Sequence, residues 1–296
     1  MFNIATKRIC KDISILENDK ENLNKSGIYW HLNESNMYNI KTMHIGNDTT
    51  PYAYGYYFLD YKLPENYPFA PPVASSITQG ERIRFHPHLY TSSKVCLSIL
   101  NTWSGEKWSA SQTLLSVFNT LQIMVFVNNP LLCEPAYEKE NHDGYRSTQY
   151  NLILKYANIK IAILNMLENI PIGFQPFQET MEKQFLFNYK NIIKNLETLK
   201  QYDKTPFKFN CPWTMSIFVD INQQFNRCKK LRRDYESKYG MIINRDTLVS
   251  VENIEISTDK KRKRQSPNEK ASNFDIGFKM KSNNNGRMYI VKTMTN

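Results

Sequence analysis

A cysteine that follows a His-Pro turn and precedes a short apolar run organises residues 85–100, FHPHLYTSSKVCLSIL. Pro87 fixes its own φ and biases His86 away from the helical region, so the segment enters as an extended turn. After a polar loop, residues 95–100 predict a short buried segment that holds Cys96. A thiol held where a loop meets an apolar anchor is reachable and suits a nucleophile or an acyl carrier. Free cysteines are nevertheless among the most buried residue types, so Cys96 taken alone favours a core position.

Further motifs surround this cysteine in a characteristic order. They are YPFAPP at 67–72, HPH at 86–88, VCLSIL at 95–100 and WSA at 108–110. This order resembles the ubiquitin-conjugating enzymes, in which YPFxPP leads to HPN, the active-site cysteine and WSP at the start of a helix. The resemblance covers roughly residues 1–145. It implies an α+β fold with an N-terminal helix, a four-stranded antiparallel sheet and packed helices.

One subgroup of that family carries a C-terminal helical extension. The loop TWSGEKW at 102–108 and the segment 129–135 look most like this subgroup, whose members are charged by the alternative ubiquitin-activating enzyme. The resemblance therefore implies three partners: ubiquitin or a ubiquitin-like modifier, an activating enzyme, and a ligase. It implies no metal or cofactor for this chain, because ATP is used by the activating enzyme.

The resemblance also assigns catalytic roles. Cys96 would take ubiquitin as a thioester and release it to a lysine amine. His88 replaces the family Asn that holds the loop and assists the oxyanion, so isopeptide formation is affected more than thioester formation. Imidazole can also donate a hydrogen bond. The sequence is therefore compatible with two alternatives, a weakened enzyme and an enzyme in which His88 replaces the Asn functionally. Glu134 stands where the family has an acid that orients the incoming lysine, and a solvated loop acid is the alternative.

Partner-facing positions follow from the same resemblance. The ligase-facing residues are Phe69, Ser109 and Ala110, where Ala110 stands in place of the family Pro. An alternative for Phe69 is burial between the neighbouring prolines. The residues expected to face the activating enzyme lie on the basic outer side of the first helix and are Lys7, Arg8 and Lys11.

Two other classes of function compete with this interpretation. One is a catalytically weak or inactive adaptor of the ubiquitin pathway, which the His88 departure keeps open. The other is a nucleic-acid-binding protein, suggested by a net charge of +10 and a pI near 9.2. Part of that excess is local to residues 259–270, and no zinc-finger spacing or RNA-binding aromatic signature accompanies it. A solvated basic surface with a basic tail is therefore favoured over nucleic-acid binding.

Composition also bears on the compartment. The five cysteines are scattered and form neither a metal-type CxxC pair nor a disulfide framework, which fits a reducing environment. No apolar run approaches the ~18 residues that a bilayer span needs, and the first residues lack a secretory pattern. We therefore expect an intracellular protein with no membrane partner.

Periodicity divides the chain into a catalytic domain at 1–146, a helical extension at 147–240 and a basic, largely flexible tail at 241–296. The extension can pack on itself or on the catalytic domain. Helices are predicted at 3–16, 113–127, 148–169, 177–202 and 213–239. Strands are predicted at 28–32, 39–45, 52–63 and 248–256, with a hairpin from 274–280 and 287–294 around SNNNG. The inward positions expected of the first helix are Ile4, Ile9, Ile13 and Leu16.

A dense basic run lies in the polar tail. It consists of Lys260, Lys261, Arg262, Lys263 and Arg264. An importin-type receptor binds such runs in extended form, so the run predicts nuclear import in addition to a cytoplasmic pool. The alternative is a run that only solubilises the tail or touches nucleic acid weakly through phosphates.

Overall fold

The computed structural model describes residues 3–33, 35–210 and 213–240, and the backbone of 279–281 and 288–290. The chain separates into two units, Met1–Ile242 and Ile243–Asn296. The helices and strands of the first unit are, in chain order, α1 (Ile4–Asn18), α2 (Lys20–Lys25), β1 (Ile28–Leu32), β2 (Asn39–Ile45), β3 (Tyr56–Lys62), β4 (Val73–Ser76), α3 (Leu114–Val125), α4 (Tyr145–Ala157), α5 (Met166–Glu168), α6 (Gln178–Thr198), β5 (Pro206–Asn210), β6 (Thr214–Phe218) and α7 (Ile221–Tyr239).

Helix α1 begins at a side-chain cap, since Asn3 Oδ1 accepts a hydrogen bond from the Thr6 N–H at 2.7 Å. Its buried stripe follows helical spacing and consists of Ala5, Ile9, Asp12 and Leu16. Ile4 was expected to point inward, but it is 65% exposed because it lies one residue off that stripe. Ile13 is only half-buried. The buried acid Asp12 is the feature that the apolar pattern did not predict.

Strands β1 to β4 form an antiparallel sheet in chain order, which confirms the predicted four-stranded α+β fold. The third strand begins at Tyr56, so the predicted start at residue 52 is wrong. The chain turns there instead: the Ala53 N–H donates to the Thr50 carbonyl, and Tyr54 has a φ of 64°. A Cβ on Gly55 would lie 1.9 Å from Asn158 Oδ1, so this turn admits only glycine at that position.

Helix α3 covers the inner face of the sheet. The ring centroids of Tyr61 and Phe118 are 5.0 Å apart, and His44 Nδ1 lies 2.8 Å from Gln122 Oε1. The helix begins with a capping box in which Thr113 and Ser116 satisfy each other's backbone N–H groups. Ile123 is 70% exposed, so α3 buries only the face that meets the sheet.

The C-terminal extension covers the outer face of the same sheet. Phe58 of β3 points away from α3 and packs on Phe174 at 4.7 Å and on Phe177 at 6.1 Å between ring centroids. The Tyr56 hydroxyl donates to the Met181 carbonyl of α6 at 2.8 Å. The extension therefore packs on the part of the chain that forms the sheet, and it also packs on itself, since Phe185 of α6 contacts Tyr235 of α7.

The extension contains a hairpin that the sequence did not predict. Residues 213–239 were expected to form one helix, but β5 and β6 pair antiparallel before α7 begins at Ile221. Met215 and Ile217 are buried while their neighbours along β6 are exposed, which is a period of two rather than 3.6. Gly240 ends α7 in the left-handed region.

The other extension helices lie close to their predicted bounds. Helix α4 continues through a π-helical segment, Asn158–Asn165, into α5. Helix α6 is followed by a 3₁₀ turn, Lys200–Tyr202. Within the part of the chain that is described, no helix combines the length and the apolar character that a membrane span needs.

In the second unit, β7 (Lys279–Lys281) pairs antiparallel with β8 (Met288–Ile290). This pairing confirms the predicted hairpin with shorter strands. The predicted strand at 248–256 and the basic run at 260–264 lie outside the described residues.

The buried ring of His44 predicts acid sensitivity. Burial lowers the pKa of His44 to about 4, so between pH 6.5 and that value the unfolded chain binds a proton that the folded chain does not. The free energy of unfolding should therefore decrease as the pH is lowered. This group alone should lower it by about 2 kcal/mol between pH 7 and pH 5. Urea unfolding at pH 7 and at pH 5 measures this difference in the free energy of unfolding.

The control for this prediction is His44→Asn, which keeps a polar side chain without a titrating ring. Carboxylates such as Glu182, whose pKa is lowered in the folded chain, also stabilise the fold less in acid. The test is therefore whether wild type loses more free energy of unfolding than the variant between pH 7 and pH 5. An equal fall in both proteins would contradict the assignment to His44.

Candidate active site

Cys96 lies in a loop whose backbone is tied to the His-Pro turn. The Cys96 N–H donates to the His88 carbonyl at 2.9 Å, and Leu89 bridges to both His86 and Val95. The sequence predicted a reachable thiol, but Cys96 is 1% exposed. A reactant must therefore displace neighbouring side chains to reach its sulfur.

Thr102 clamps the backbone on both sides of Cys96. Its hydroxyl donates to the Val95 carbonyl at 2.8 Å and accepts from the Leu97 N–H at 2.9 Å. A 3₁₀ turn, Ser98–Leu100, closes the segment between Cys96 and Thr102. The hydroxyl thus fixes the residue before and the residue after the cysteine.

The two histidines of the turn are buried and differ in their hydrogen bonding. His86 Nδ1 accepts from the His88 N–H at 3.0 Å, so a neutral His86 carries its proton on Nε2. Both ring nitrogens of His88 are buried and make no hydrogen bond of ordinary geometry with the described residues, although the Cys133 backbone lies near enough to raise the pKa of the ring. The His88 ring contacts His86 and Trp103, with centroid separations of 5.1 and 5.0 Å.

Electrostatics keep these rings neutral. Burial lowers the pKa of His86 well below its usual range, and the charges of His88 and Arg84 add to this shift. Burial also lowers the pKa of His88, an effect that the Cys133 backbone opposes and the Arg84 charge reinforces. Near neutral pH, His88 is therefore an imidazole with one N–H donor.

Glu134 follows the 3₁₀ turn Pro130–Cys133, whose last residue lies against His88. Its backbone is fixed by the Leu131 carbonyl at 3.0 Å, and its side chain is half-buried. Burial raises the pKa of the neighbouring Cys133 thiol, which disfavours its thiolate. The structure thus brings the 130–134 segment to the histidine turn and disfavours the thiolate of Cys133.

The residues expected to face a ligase are exposed and lie on two adjoining segments. Phe69 is 67% exposed, so the alternative of burial between the prolines is wrong. Ser109 and Ala110 are also exposed. Trp108 Nε1 donates to the Pro68 carbonyl at 2.6 Å, which holds the two segments side by side.

Of the three basic residues expected on the outer side of α1, two are exposed and one is not. Lys7 and Lys11 face solvent. The side chain of Arg8 is only 15% exposed, because it pairs with Asp12 at 2.9 Å and donates to the Ala110 and Gln112 carbonyls. The expectation that Arg8 points outward is therefore wrong.

Two residues that support the cysteine loop escaped the sequence analysis. Thr102 was read only as part of a longer loop, and Arg84 was not singled out. Arg84 donates to the Pro87 carbonyl inside the histidine turn. A cation two residues before a His-Pro turn was the available signal, but nothing local in the sequence shows which groups meet it.

Removal of the Thr102 hydroxyl should loosen the loop. Thr102→Val leaves the buried Leu97 N–H without an acceptor, so we expect a loss of about 1.5 kcal/mol in the free energy of unfolding. Thr198→Val is the matched control, since that hydroxyl bonds only the Asn195 carbonyl at an exposed helix end. Equal losses in urea unfolding would contradict the clamp.

Comparisons with known proteins point to one family. A family model described as "Ubiquitin-conjugating enzyme" matches residues 8–157. "Probable ubiquitin-conjugating enzyme protein 17" of Caenorhabditis elegans is 34% identical over 200 residues, which are 65% of this chain and 27% of that protein. Human "Ubiquitin-conjugating enzyme E2 Z" is 36% identical over 154 residues, which are 52% of this chain and 43% of that protein. The chain thus spans less than half the length of these curated relatives.

Among solved structures, the H. polymorpha ubiquitin-conjugating enzyme Pex4p, in complex with the soluble domain of Pex22p, is 20% identical with a TM-score of 0.44. That match covers 54% of this chain and 98% of the Pex4p chain. The family model matches more than half of the sequence, and it includes the histidine turn and Cys96. The chain belongs to the ubiquitin-conjugating enzyme family.

Proposed function

We propose that the chain accepts ubiquitin, or a ubiquitin-like modifier, as a thioester on Cys96 and passes it to a lysine amine or to a ligase. The observation that carries this proposal is the backbone clamp around Cys96, with its N–H on the His88 carbonyl and Thr102 on either side. Such a clamp holds one sulfur in a defined position relative to the histidine turn. We propose no metal or cofactor, and the described residues contain no cluster of three metal-ligating acids, histidines or cysteines.

The first step is a thioester exchange. The Cys96 thiolate attacks the carbonyl carbon of the modifier's C-terminal glycine on the activating enzyme. A new C–S bond forms, the old C–S bond breaks, and the activating enzyme leaves as a thiolate. Because one thioester replaces another, the free-energy change is near zero and positioning governs the rate.

The second step is attack by an amine. The lysine nitrogen forms a C–N bond to the thioester carbon, and the negative charge gathers on the carbonyl oxygen. We assign the N–H of neutral His88 to that oxyanion, supported by the lack of a hydrogen bond of ordinary geometry at either ring nitrogen and by the lowered pKa of the ring. The C–S bond then breaks, the nitrogen loses its proton to solvent, and Cys96 leaves as a thiolate. Glu134 is proposed to orient the incoming ammonium group.

The partner surfaces follow from exposure. Lys7 and Lys11 are proposed to meet the activating enzyme, which the resemblance specifies as the alternative one. Phe69, Ser109 and Ala110 are proposed to meet a ligase, supported by the apolar exposure of Phe69. The division at residues 146 and 240 and the import role of the run 260–264 stay predictions from the sequence.

Thioester formation tests the proposal directly. The protein mixed with an activating enzyme, a modifier and ATP should give an adduct that a reducing agent removes, because a thioester exchanges with free thiols. The adduct should be absent from Cys96→Ala. Cys133→Ser is the control, since burial raises the pKa of that thiol and the variant should charge normally.

A reducible adduct that persists in Cys96→Ala would overturn the assignment of the carrier residue. Absence of any adduct in the wild-type protein, across ubiquitin and ubiquitin-like modifiers, would favour the inactive adaptor instead.

Phe69→Ala tests the ligase surface. The side chain is exposed, so its loss should leave folding and charging intact and should lower ligase-stimulated discharge by about tenfold, the effect of losing an interface anchor. Ile172→Ala, another exposed apolar residue between α5 and α6, is the control. Equal discharge by wild type and Phe69→Ala with every ligase that uses the protein would reject the surface.

A further inference from the structure

Arg84 joins the histidine turn to the C-terminal extension through its guanidinium group. The guanidinium carbon lies 4.3 Å from the ring centroid of Trp213, in the hairpin of β5 and β6, and 3.8 Å from that of Tyr90. The same group donates to the Pro87 carbonyl in the middle of the turn. A planar cation that contacts two aromatic rings and a carbonyl has little freedom to move.

The backbone of Arg84 is also held by the extension. Its N–H donates to Met215 Sδ at 3.2 Å, and its carbonyl accepts from the Tyr150 hydroxyl at 2.7 Å. Tyr150 on α4 packs in turn on Phe209 and Trp213, with centroid separations of 5.2 and 5.6 Å. Two separate elements of the extension, α4 and the hairpin, therefore converge on one residue of the catalytic loop.

The contacts continue from this residue to the reacting sulfur. The Pro87 carbonyl accepts a hydrogen bond from Arg84. The next residue is His88, whose carbonyl accepts a hydrogen bond from the Cys96 N–H at 2.9 Å. We propose that Arg84 is a positioning residue through which the C-terminal extension holds the histidine turn and Cys96 in the geometry for transfer. This inference rests on the proposed function of Cys96, and it assigns the extension a part in catalysis beyond covering the sheet.

The charge of Arg84 has a second effect. The titratable and charged residues that the structure places next to His88 are His86, Arg84, Cys96 and Cys133, of which Cys133 acts through its backbone. The positive charge of Arg84 lowers the pKa of both histidines, so its removal raises them. Protonation of His88 would then begin at a higher pH.

Three variants separate position from charge. Arg84→Met keeps an apolar stem and removes the cation, whereas Arg84→Lys keeps a cation without the planar fork. Arg227→Met is the matched control, because Arg227 binds Glu168 and Asn165 within the extension and has no contact with the histidine turn. Thermal unfolding confirms that each variant is folded at the assay temperature.

Two quantities are measured for the wild-type protein and for each variant. The first is the rate at which iodoacetamide alkylates Cys96 in the uncharged protein, read by mass spectrometry of the peptide that contains it. The second is single-turnover discharge of the charged protein to free lysine as a function of pH. The first measurement does not depend on ubiquitin chemistry.

Both Arg84 variants should raise the alkylation rate of Cys96 about threefold, because the loop opens more often. Arg84→Met should also lower discharge about tenfold and move its acid limb to higher pH, since a misplaced group slows transfer and the His88 pKa rises. Arg84→Lys should slow discharge without moving the acid limb. Arg227→Met should match wild type in both measurements.

The inference would be overturned if Arg84→Met had the same alkylation and discharge rates as the wild-type protein. It would also be overturned if Arg227→Met changed both rates as much as Arg84→Met does. Failure of the wild-type protein to form any thioester would instead reject the proposed function of Cys96. The alkylation rates would still decide whether Arg84 holds the cysteine loop.

Discussion

The four-stranded sheet has two apolar faces, and both must be covered. Met43, Tyr56 and Phe58 lie on the face away from α3 and are nearly inaccessible, because Phe174, Phe177 and Met181 lie over that face. Burial of a large apolar side chain stabilises a fold by about 2 kcal/mol, so these three contribute about 6 kcal/mol. That sum is comparable to the whole stability of a typical domain. The extension is therefore part of the scaffold that presents Cys96.

A buried carboxylate links the first helix to the loops beside the site. Asp12 is inaccessible to solvent, and such a charge is tolerated only when its oxygens are paired. It pairs with Arg8 and accepts from the Tyr67 hydroxyl. Arg8 also bonds the backbone that follows Trp108, and the Tyr67 and Trp108 rings are 5.8 Å apart. The segments that carry Phe69 and Ala110 are thus both tied to the Asp12 carboxylate. Displacement of one segment therefore strains the contacts of the other.

Local periodicity and motif order predicted the sheet, α3 and the position of Cys96 in its loop, because these depend on residues near in sequence. The misses have tertiary causes. Tyr52 and its neighbours alternate like a strand, but the chain turns against Asn158 of the extension, which lies a hundred residues away. Strand β6 lay inside an apolar pattern compatible with a helix, and β5 lay in the link before that pattern. Arg8 looked like a solvated charge and Arg84 was not singled out, since sequence shows a cation but not the carbonyls and rings around it.

His88 combines burial with the lack of a hydrogen bond of ordinary geometry to the described residues, and this combination is costly. An unsatisfied buried polar group disfavours the fold by about 1–3 kcal/mol, so a histidine in this state needs a compensating reason. The proposed reason is that its donor is kept for an oxyanion that exists only during transfer. A neutral imidazole can fill this role, because it keeps one N–H that can donate to such an oxygen. Burial and the Arg84 charge both favour the neutral form. The cation that contacts the turn therefore adds to the burial that keeps His88 neutral.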